Sequence, residues 1–244
     1  MKIVGFEHLH CHSMYSPLDG FGTAEEYCER WHNHGDHLCL TDHGLMGGIP
    51  NLITTTEQFQ KKKFKTIYGC ELYVNPIHNQ ATENEEARNQ FIKDLSPQEM
   101  EEFKVSSHIL AIAVTNQGYV NLTKLCSLGW SQGFYRRPRV NHKLLQEYKE
   151  GIIFTSCCCA SEAARQLHLH GEEKAEECIV KYKTMFDKSF FLEMMILDFE
   201  RQKPYNQFLI KMHEKHKIPM ILTNDVHYAN KEDSHFQTLM LLVN

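Results

Sequence analysis

Sixteen of the 244 residues are histidine, and many stand in short clusters with acids or cysteine. The clusters are His8-Leu9-His10-Cys11-His12, Thr41-Asp42-His43-Gly44, Gly69-Cys70-Glu71, Ser156-Cys157-Cys158 and Asp225-Val226-His227, with His108 between them. In a strand, alternation would put His8, His10 and His12 on one face. Two imidazoles on one face can chelate one ion, and Asp225 with His227 repeats that spacing. Imidazole, carboxylate and thiolate together suit zinc, manganese or iron rather than calcium or magnesium. So many donors imply more than one ion. Ions held ~3.5–4 Å apart can activate water and stabilise a leaving oxygen in phosphoryl transfer. The chemistry expected is therefore metal-dependent phosphoester hydrolysis.

Positioning these residues needs elements that end beside them. Short apolar runs predict strands at Ile3–His8, His37–Leu40, Thr66–Val74, Ile109–Val114, Gly151–Ser156, Phe190–Ile196 and Ile218–Leu222. Helical patterns lie between them. Thr23-Ala24-Glu25-Glu26 reads as a capping box opening a helix through His34, with Tyr27 and Trp31 facing the core and Gly35 as its stop. Further helices are expected over Tyr119–Leu128, Ala160–His170, Glu172–Phe186, Tyr205–Lys215 and Asp233–Leu242. This alternation predicts a parallel α/β architecture, either an open doubly wound sheet or a closed barrel. In such folds functional residues gather at strand carboxyl ends. His108 departs from that rule, since it precedes its strand. The polar stretch Asn79–Lys104, with a helix start at Ser96-Pro97-Gln98-Glu99, reads as a surface insertion, and no linker divides residues 1–244, which read as one domain.

A net charge of −5 argues against a whole-surface nucleic-acid binder, though not against a local basic groove. No apolar run approaches the ~20 residues that span a bilayer, and the first residues are too polar for a signal peptide. A cytosolic (cytoplasmic) protein with no membrane partner is expected. Its nine cysteines, an odd number without CxxC spacing, are expected to be reduced.

The segment from His8 to Gly20 resembles the opening motif of the PHP (polymerase and histidinol phosphatase) domain of bacterial replicative DNA polymerase III alpha subunits. Thr41–Gly44, Ile67–Val74, Gly151–Cys158 and Thr223–Tyr228 resemble its later motifs, in order. Gly133-Phe134-Tyr135-Arg136-Arg137-Pro138-Arg139-Val140 resembles a stretch special to the polymerase branch. The resemblance implies a distorted seven-stranded (β/α) TIM-like barrel with a metal site at the strand C-termini, holding up to three divalent metals (Zn, Mn or Fe). Carried over, His10, His12, Glu71 and Asp225 would hold one ion and the reacting water. Glu71, His108 and Cys158 would hold a second, and Asp19, His43 and His227 a third. His8 and Asp42 are expected to support these ligands from behind. Arg136, Arg137 and Arg139 are expected to contact substrate phosphates. Cys157 stands where the family commonly has Gly, and Cys157 and Cys159 read as small buried hydrophobes. The implied activity is 3′–5′ exonuclease hydrolysis at DNA 3′ ends, beside a polymerase core or other replisome subunits. Two alternatives are a metal-stabilised scaffold without turnover and a histidinol-phosphate-type phosphatase.

Overall fold

The structure, a computed structural model, describes residues 6–58, 64–77 and 85–243. The predicted first strand lies partly outside these residues; its described end, His8, makes a single parallel bridge to Leu38. Helix α1 (Ala24–Trp31) follows the expected capping box, with Thr23 and Glu26 exchanging both bonds. Then come β1 (His37–Leu40), α2 (Ile49–Gln58), β2 (Lys65–Val74), α3 (Glu85–Asp94), α4 (Pro97–Phe103) and β3 (Ser107–Ala113). After α5 (Asn116–Ser131), a short hairpin of β4 (Phe134–Tyr135) and β5 (Arg137–Val140) leads through α6 (His142–Glu147) to β6 (Ile152–Thr155). The chain ends with α7 (Glu162–His170), α8 (Glu172–Phe186), β7 (Phe190–Met195), α9 (Gln202–His216), β8 (Met220–Thr223) and α10 (Ser234–Val243).

The strands form one curled, mixed sheet in the order β4-β5-β2-β3-β6-β7-β8, with β1 also on β2. The expectation of an all-parallel sheet is corrected here. β3 runs antiparallel to both β2 and β6, while β1–β2, β6–β7 and β7–β8 are parallel. Apolar runs encode burial on both faces but not strand direction, so the reversal was invisible in the pattern. It also accounts for His108: the start of a reversed strand lies at the same end of the sheet as its neighbours' carboxyl ends. The N-terminal segment approaches both edges through isolated bridges, His8 to Leu38 and Cys11 to Val226.

Three apolar clusters hold these elements. The largest joins β2, β3, β6 and β7 to α5, α7, α8 and α9, and includes Leu72, Phe154, Phe190, Ile179 and Phe208. A second sits under α1 and α2 with Tyr27, Cys28, Leu38, Leu40 and Leu52. The third contains Cys39, Leu110, Ile112 and Cys157 with Leu9, and no helical residue, so it lines the concave face. Close approach matters where α5 meets the turn before β6: a Cβ on Gly118 would lie 1.8 Å from the Gly151 carbonyl oxygen.

The 79–104 stretch is only partly the surface insertion expected. Its first residues lie outside the described ones, but α4 is capped by Ser96 as read from sequence and buries Phe103 completely. Lys61, Lys62, Lys63 and Lys65 read from sequence as a solvated helix end; the first three lie outside the described residues, and Lys65 instead opens β2 with its side chain exposed.

Candidate metal centre

All nine expected donors converge at one end of the curled sheet. His10 and His12 come from the N-terminal segment, Glu71 from β2, and His108 from the start of β3. His43 follows β1, Cys158 follows β6, and Asp225 and His227 follow β8. Asp19 comes from the loop after His12. That loop folds tightly: Ser16 and Gly20 donate backbone N–H bonds to the carbonyls of Ser13 and Ser16, at 2.8 and 2.9 Å. A Cβ on Gly20 would sit 2.2 Å from the Ser13 carbonyl oxygen, so glycine is required there.

The geometry falls into overlapping groups. His10 Nε2 lies 3.1 Å from His12 Nε2, 3.5 Å from Glu71 Oε1 and 3.3 Å from Asp225 Oδ1. His12 Nε2 lies 3.4 Å from Glu71 Oε2 and 3.2 Å from Asp225 Oδ1. His108 Nδ1 is 2.9 Å from Glu71 Oε1, and Cys158 Sγ is 3.5 Å from that oxygen and 3.7 Å from His108 Nδ1. Asp19 Oδ2 sits 2.8 Å from His43 Nε2 and 3.4 Å from His227 Nε2. Glu71 also reaches His43, whose Nδ1 is 2.6 Å from Oε2.

These contacts fit metal donors better than a finished hydrogen-bond network. His43 Nδ1, Glu71 Oε2 and Asp225 Oδ1 are buried, yet none has a partner in hydrogen-bond geometry. Buried polar atoms are normally satisfied, so such a set aimed at one centre is chemically suited to a cation. Four groups of three donors each lie within ion-binding reach: His12-His43-His227, His10-His12-Asp225, His43-Glu71-His108 and His10-Glu71-Cys157.

The imidazoles are oriented from behind. His10 Nδ1–H donates to Glu193 Oε1 at 2.7 Å. That fully buried carboxylate also accepts from Thr223 Oγ1 at 2.6 Å and from Thr155 Oγ1. His12 Nδ1 lies 3.0 Å from Ser16 Oγ, and Ser16 Oγ donates to Asp42 Oδ1 at 2.9 Å, so the imidazole is the donor in the first bond. Both rings therefore turn Nε2 toward the centre, since the hydrogen bond on one nitrogen decides what the other can do. Burial, helped by the neighbouring His43 charge, pushes the His12 pKa down to about 3 and keeps that ring neutral. Burial opposes ionisation of Glu71 too, but His108 and His43 outweigh it and hold the carboxyl well below its ordinary value. Burial likewise opposes charge on His227, and its bond with Asp19 overcomes this, raising the pKa to about 9.

Three expectations need correction. His8 does not share a face with His10 and His12. The chain bends at His10, so Leu9 and His10 both turn inward while His8 packs against Trp31, with ring centroids 4.2 Å apart. Asp42 does act from behind, but through Ser16 on His12 rather than directly on the adjacent His43. Arg139 is fully buried, with its guanidinium 4.3 Å over the Phe103 ring and bonded to the Phe103 carbonyl, so it does not face substrate. Arg136 and Arg137 are exposed. Arg137 Nη1 donates to Tyr73 Oη at 2.6 Å, and Tyr73 stacks on His43 at 5.5 Å, which links Arg137 to the rim of the centre.

Glu193, Ser16, Thr155 and Thr223 were missed from sequence. Glu193 sits inside the apolar run Phe190–Met195, and a buried acid in a strand was the one signal that could have found it. Cys157 was read as filler but lies 3.0 Å from Glu71 Oε1. The centre opens into a cleft of about 440 Å³ that Leu197, Phe199, Arg201 and Gln202 also line.

Fold and centre together define an α/β domain carrying a cluster of metal-type donors at one end of a curled sheet. Residues 8–196 match the PHP domain, and the chain belongs to that family. The chain is 33% identical to a DNA polymerase III subunit alpha of Treponema pallidum over 100% of its own length, and 31% identical to that of Borreliella burgdorferi over 98%. It spans about a fifth (19%) of the length of each. Among solved structures, its fold resembles that of a protein described as a metal-dependent phosphoesterase from Bifidobacterium adolescentis, with a TM-score of 0.54 and 13% identity, covering 92% of this chain and 88% of that one. An amidohydrolase from Chromobacterium violaceum has the same TM-score of 0.54 at 11% identity, covering 93% and 89%. Among the described residues no helix is long and apolar enough to cross a membrane.

Proposed function

We propose that this chain is a metal-dependent phosphoesterase that hydrolyses phosphodiesters at DNA 3′ ends, in the setting of a replicative polymerase. The observation carrying this reading is the convergence of nine donors, three of whose buried atoms, His43 Nδ1, Glu71 Oε2 and Asp225 Oδ1, lack hydrogen-bond partners. We read up to three divalent ions, of zinc, manganese or iron, as its cofactors. His10, His12, Glu71 and Asp225 would hold one, Glu71, His108 and Cys158 another, and Asp19, His43 and His227 the third. Such ions supply a water acidified toward neutral pH and positive charge for the phosphate oxygens. We also read the N-terminal segment as the stave that closes the sheet into a seven-stranded barrel, supported by its bridges to Leu38 and Val226.

The chain's own residues divide the remaining work. Glu193 and the Ser16–Asp42 pair keep His10 and His12 oriented. Burial opposes charge on Asp19, but His227 and His43 outweigh it and hold the carboxyl well below its ordinary value, so it stays ionised at the cleft mouth. Arg201 on the rim, and Arg137 behind Tyr73, offer cations to the phosphate chain. Phe199, 53% exposed beside Arg201, offers a face on which a terminal base can stack. A DNA substrate and polymerase or replisome partners are supported by the alpha-subunit relatives, which match along this chain's whole length.

The test is release of nucleotides from a 3′-mismatched DNA with Mn²⁺ or Zn²⁺, beside histidinol phosphate as a competing substrate. Activity on the DNA should vanish in His12→Ala and Asp225→Ala. Equal activity in those variants, or turnover of histidinol phosphate alone, would defeat the proposal.

A further inference from the structure

The chain carries seven buried cysteines: Cys11, Cys28, Cys39, Cys70, Cys126, Cys157 and Cys178. Of these seven, only Cys157 is grouped within ion-binding reach of two other donors, His10 and Glu71. The others pack in apolar clusters or meet carbonyls and each other. Cys70 Sγ, for example, contacts the Asp42 carbonyl at 3.3 Å and Cys126 Sγ at 3.6 Å.

The backbone at Cys157 makes the placement harder to dismiss. Its φ is +58°, in the left-handed region that side-chain-bearing residues avoid. The turn is held there by its own amide, which donates to Thr155 Oγ1 at 3.1 Å. Glycine adopts this conformation freely, whereas a β-carbon is strained in it. That strained side chain turns inward and sets its sulfur 3.0 Å from Glu71 Oε1. Cys158 Sγ stands 3.5 Å from the same oxygen, beside His108. Two consecutive sulfurs therefore meet Glu71 Oε1, the first within reach of His10 and the second beside His108.

We propose that Cys157 is itself a metal ligand, giving a thiolate to an ion shared with His10 and Glu71, so that the centre carries two sulfur donors. This rests on the metal-binding reading above. On binding, the thiol gives its proton to solvent. Neutral His10 with the charged Glu71 and Cys157 then supplies two negative charges to a divalent ion. A second sulfur shifts the centre's preference toward zinc, cobalt or iron(II) and away from manganese, which favours oxygen donors.

The test is cobalt(II) titration of the full chain, read by the sulfur-to-cobalt charge-transfer absorption and by bound cobalt per chain. Cys157→Gly suits the left-handed backbone and should fold; Cys157→Ser keeps the side-chain shape and serves as its control. Two sulfur ligands predict that Cys157→Gly, Cys157→Ser and Cys158→Ser each lose part of the absorption and that the double variant loses all of it. The ratio of zinc to manganese affinity should fall at least several-fold in both Cys157 variants. If cobalt binds and the Cys157 variants leave the absorption unchanged, the proposal fails while the metal centre stands. If no cobalt binds to the unmodified chain, both fail.

Discussion

Glu193 gives the sharpest test of how the centre is built. It is wholly buried, and it accepts from His10 Nδ1 at 2.7 Å, from Thr223 Oγ1 at 2.6 Å and from Thr155 Oγ1. Replacing it with Ala removes the acceptor that fixes the His10 tautomer and leaves His10 free to turn Nε2 away from Glu71 and Asp225. Loss of a carboxylate behind a ligating imidazole typically weakens metal affinity about 10–100-fold, or ~1.4–2.8 kcal/mol at 1.4 kcal/mol per tenfold change. Glu193→Gln is milder by construction. Its amide oxygen can still accept from His10 and Thr223, while Thr155 can turn to accept from the amide nitrogen. What disappears is the charge, and charge-assisted bonds are about twice as strong as neutral ones. The affinity order should be wild type, then Glu193→Gln by a factor of about ten or less, then Glu193→Ala. Competition with a chromophoric chelator measures it, and far-ultraviolet circular dichroism checks that each variant is folded. A folded Glu193→Ala protein binding zinc within about twofold of wild type would refute the orienting role.

Two further outcomes follow from other parts of the fold. Glu162 accepts from Lys181 at 2.6 Å, Tyr182 at 2.7 Å and His142 at 2.9 Å; burial opposes its charge, but the His142 and Lys181 contacts outweigh this and bring its pKa down to about 2. A depressed carboxyl stabilises the folded state above its unfolded pKa and loses that contribution as pH falls through the folded one. Glu162→Gln should therefore cost about 2–3 kcal/mol in urea unfolding at pH 7, with the gap to wild type roughly halved by pH 3. Arg139 and Arg137 should separate cleanly. Arg139→Ala removes the donor to the Phe103 carbonyl and should cost about 2–3 kcal/mol of stability, leaving the salt dependence of DNA binding unchanged. Arg137→Ala should leave stability nearly unaltered and lower the salt slope for single-stranded DNA by about 0.7.

The donors themselves were legible because ligand chemistry is a property of residue type. His10, His12, His43, Glu71, His108, Cys158, Asp225 and His227 stood out in clusters by type and spacing; Asp19 and the set of nine came from the resemblance to the PHP family, and the structure brings all nine within one cluster. Local rules carried as well. The Thr23–Glu26 and Ser96–Glu99 capping boxes depend on residues three apart, and both formed. Boundaries of α8 and β1 agreed because their apolar runs ended in clear polar breaks.

What the sequence by itself determined, then, was the stock of donors and the local elements between them. Tertiary structure decided direction, facing and partnership. Strand periodicity is unchanged by reversing a strand, so only pairing with β2 and β6 turned β3 around and brought His108 to the donor end. Alternation assumes an unbroken strand, and the bend at His10 sent His8 out to Trp31. A buried acid reads as an anomaly until its partners are known; folding placed Glu193 behind His10, across 183 residues of chain. Arg139 looked like a solvent-facing cation because a basic run in isolation has no inside. The docking of α4 beneath it supplied one. Burial and long-range contact are properties of the packed chain, and no local pattern of residue types contains them.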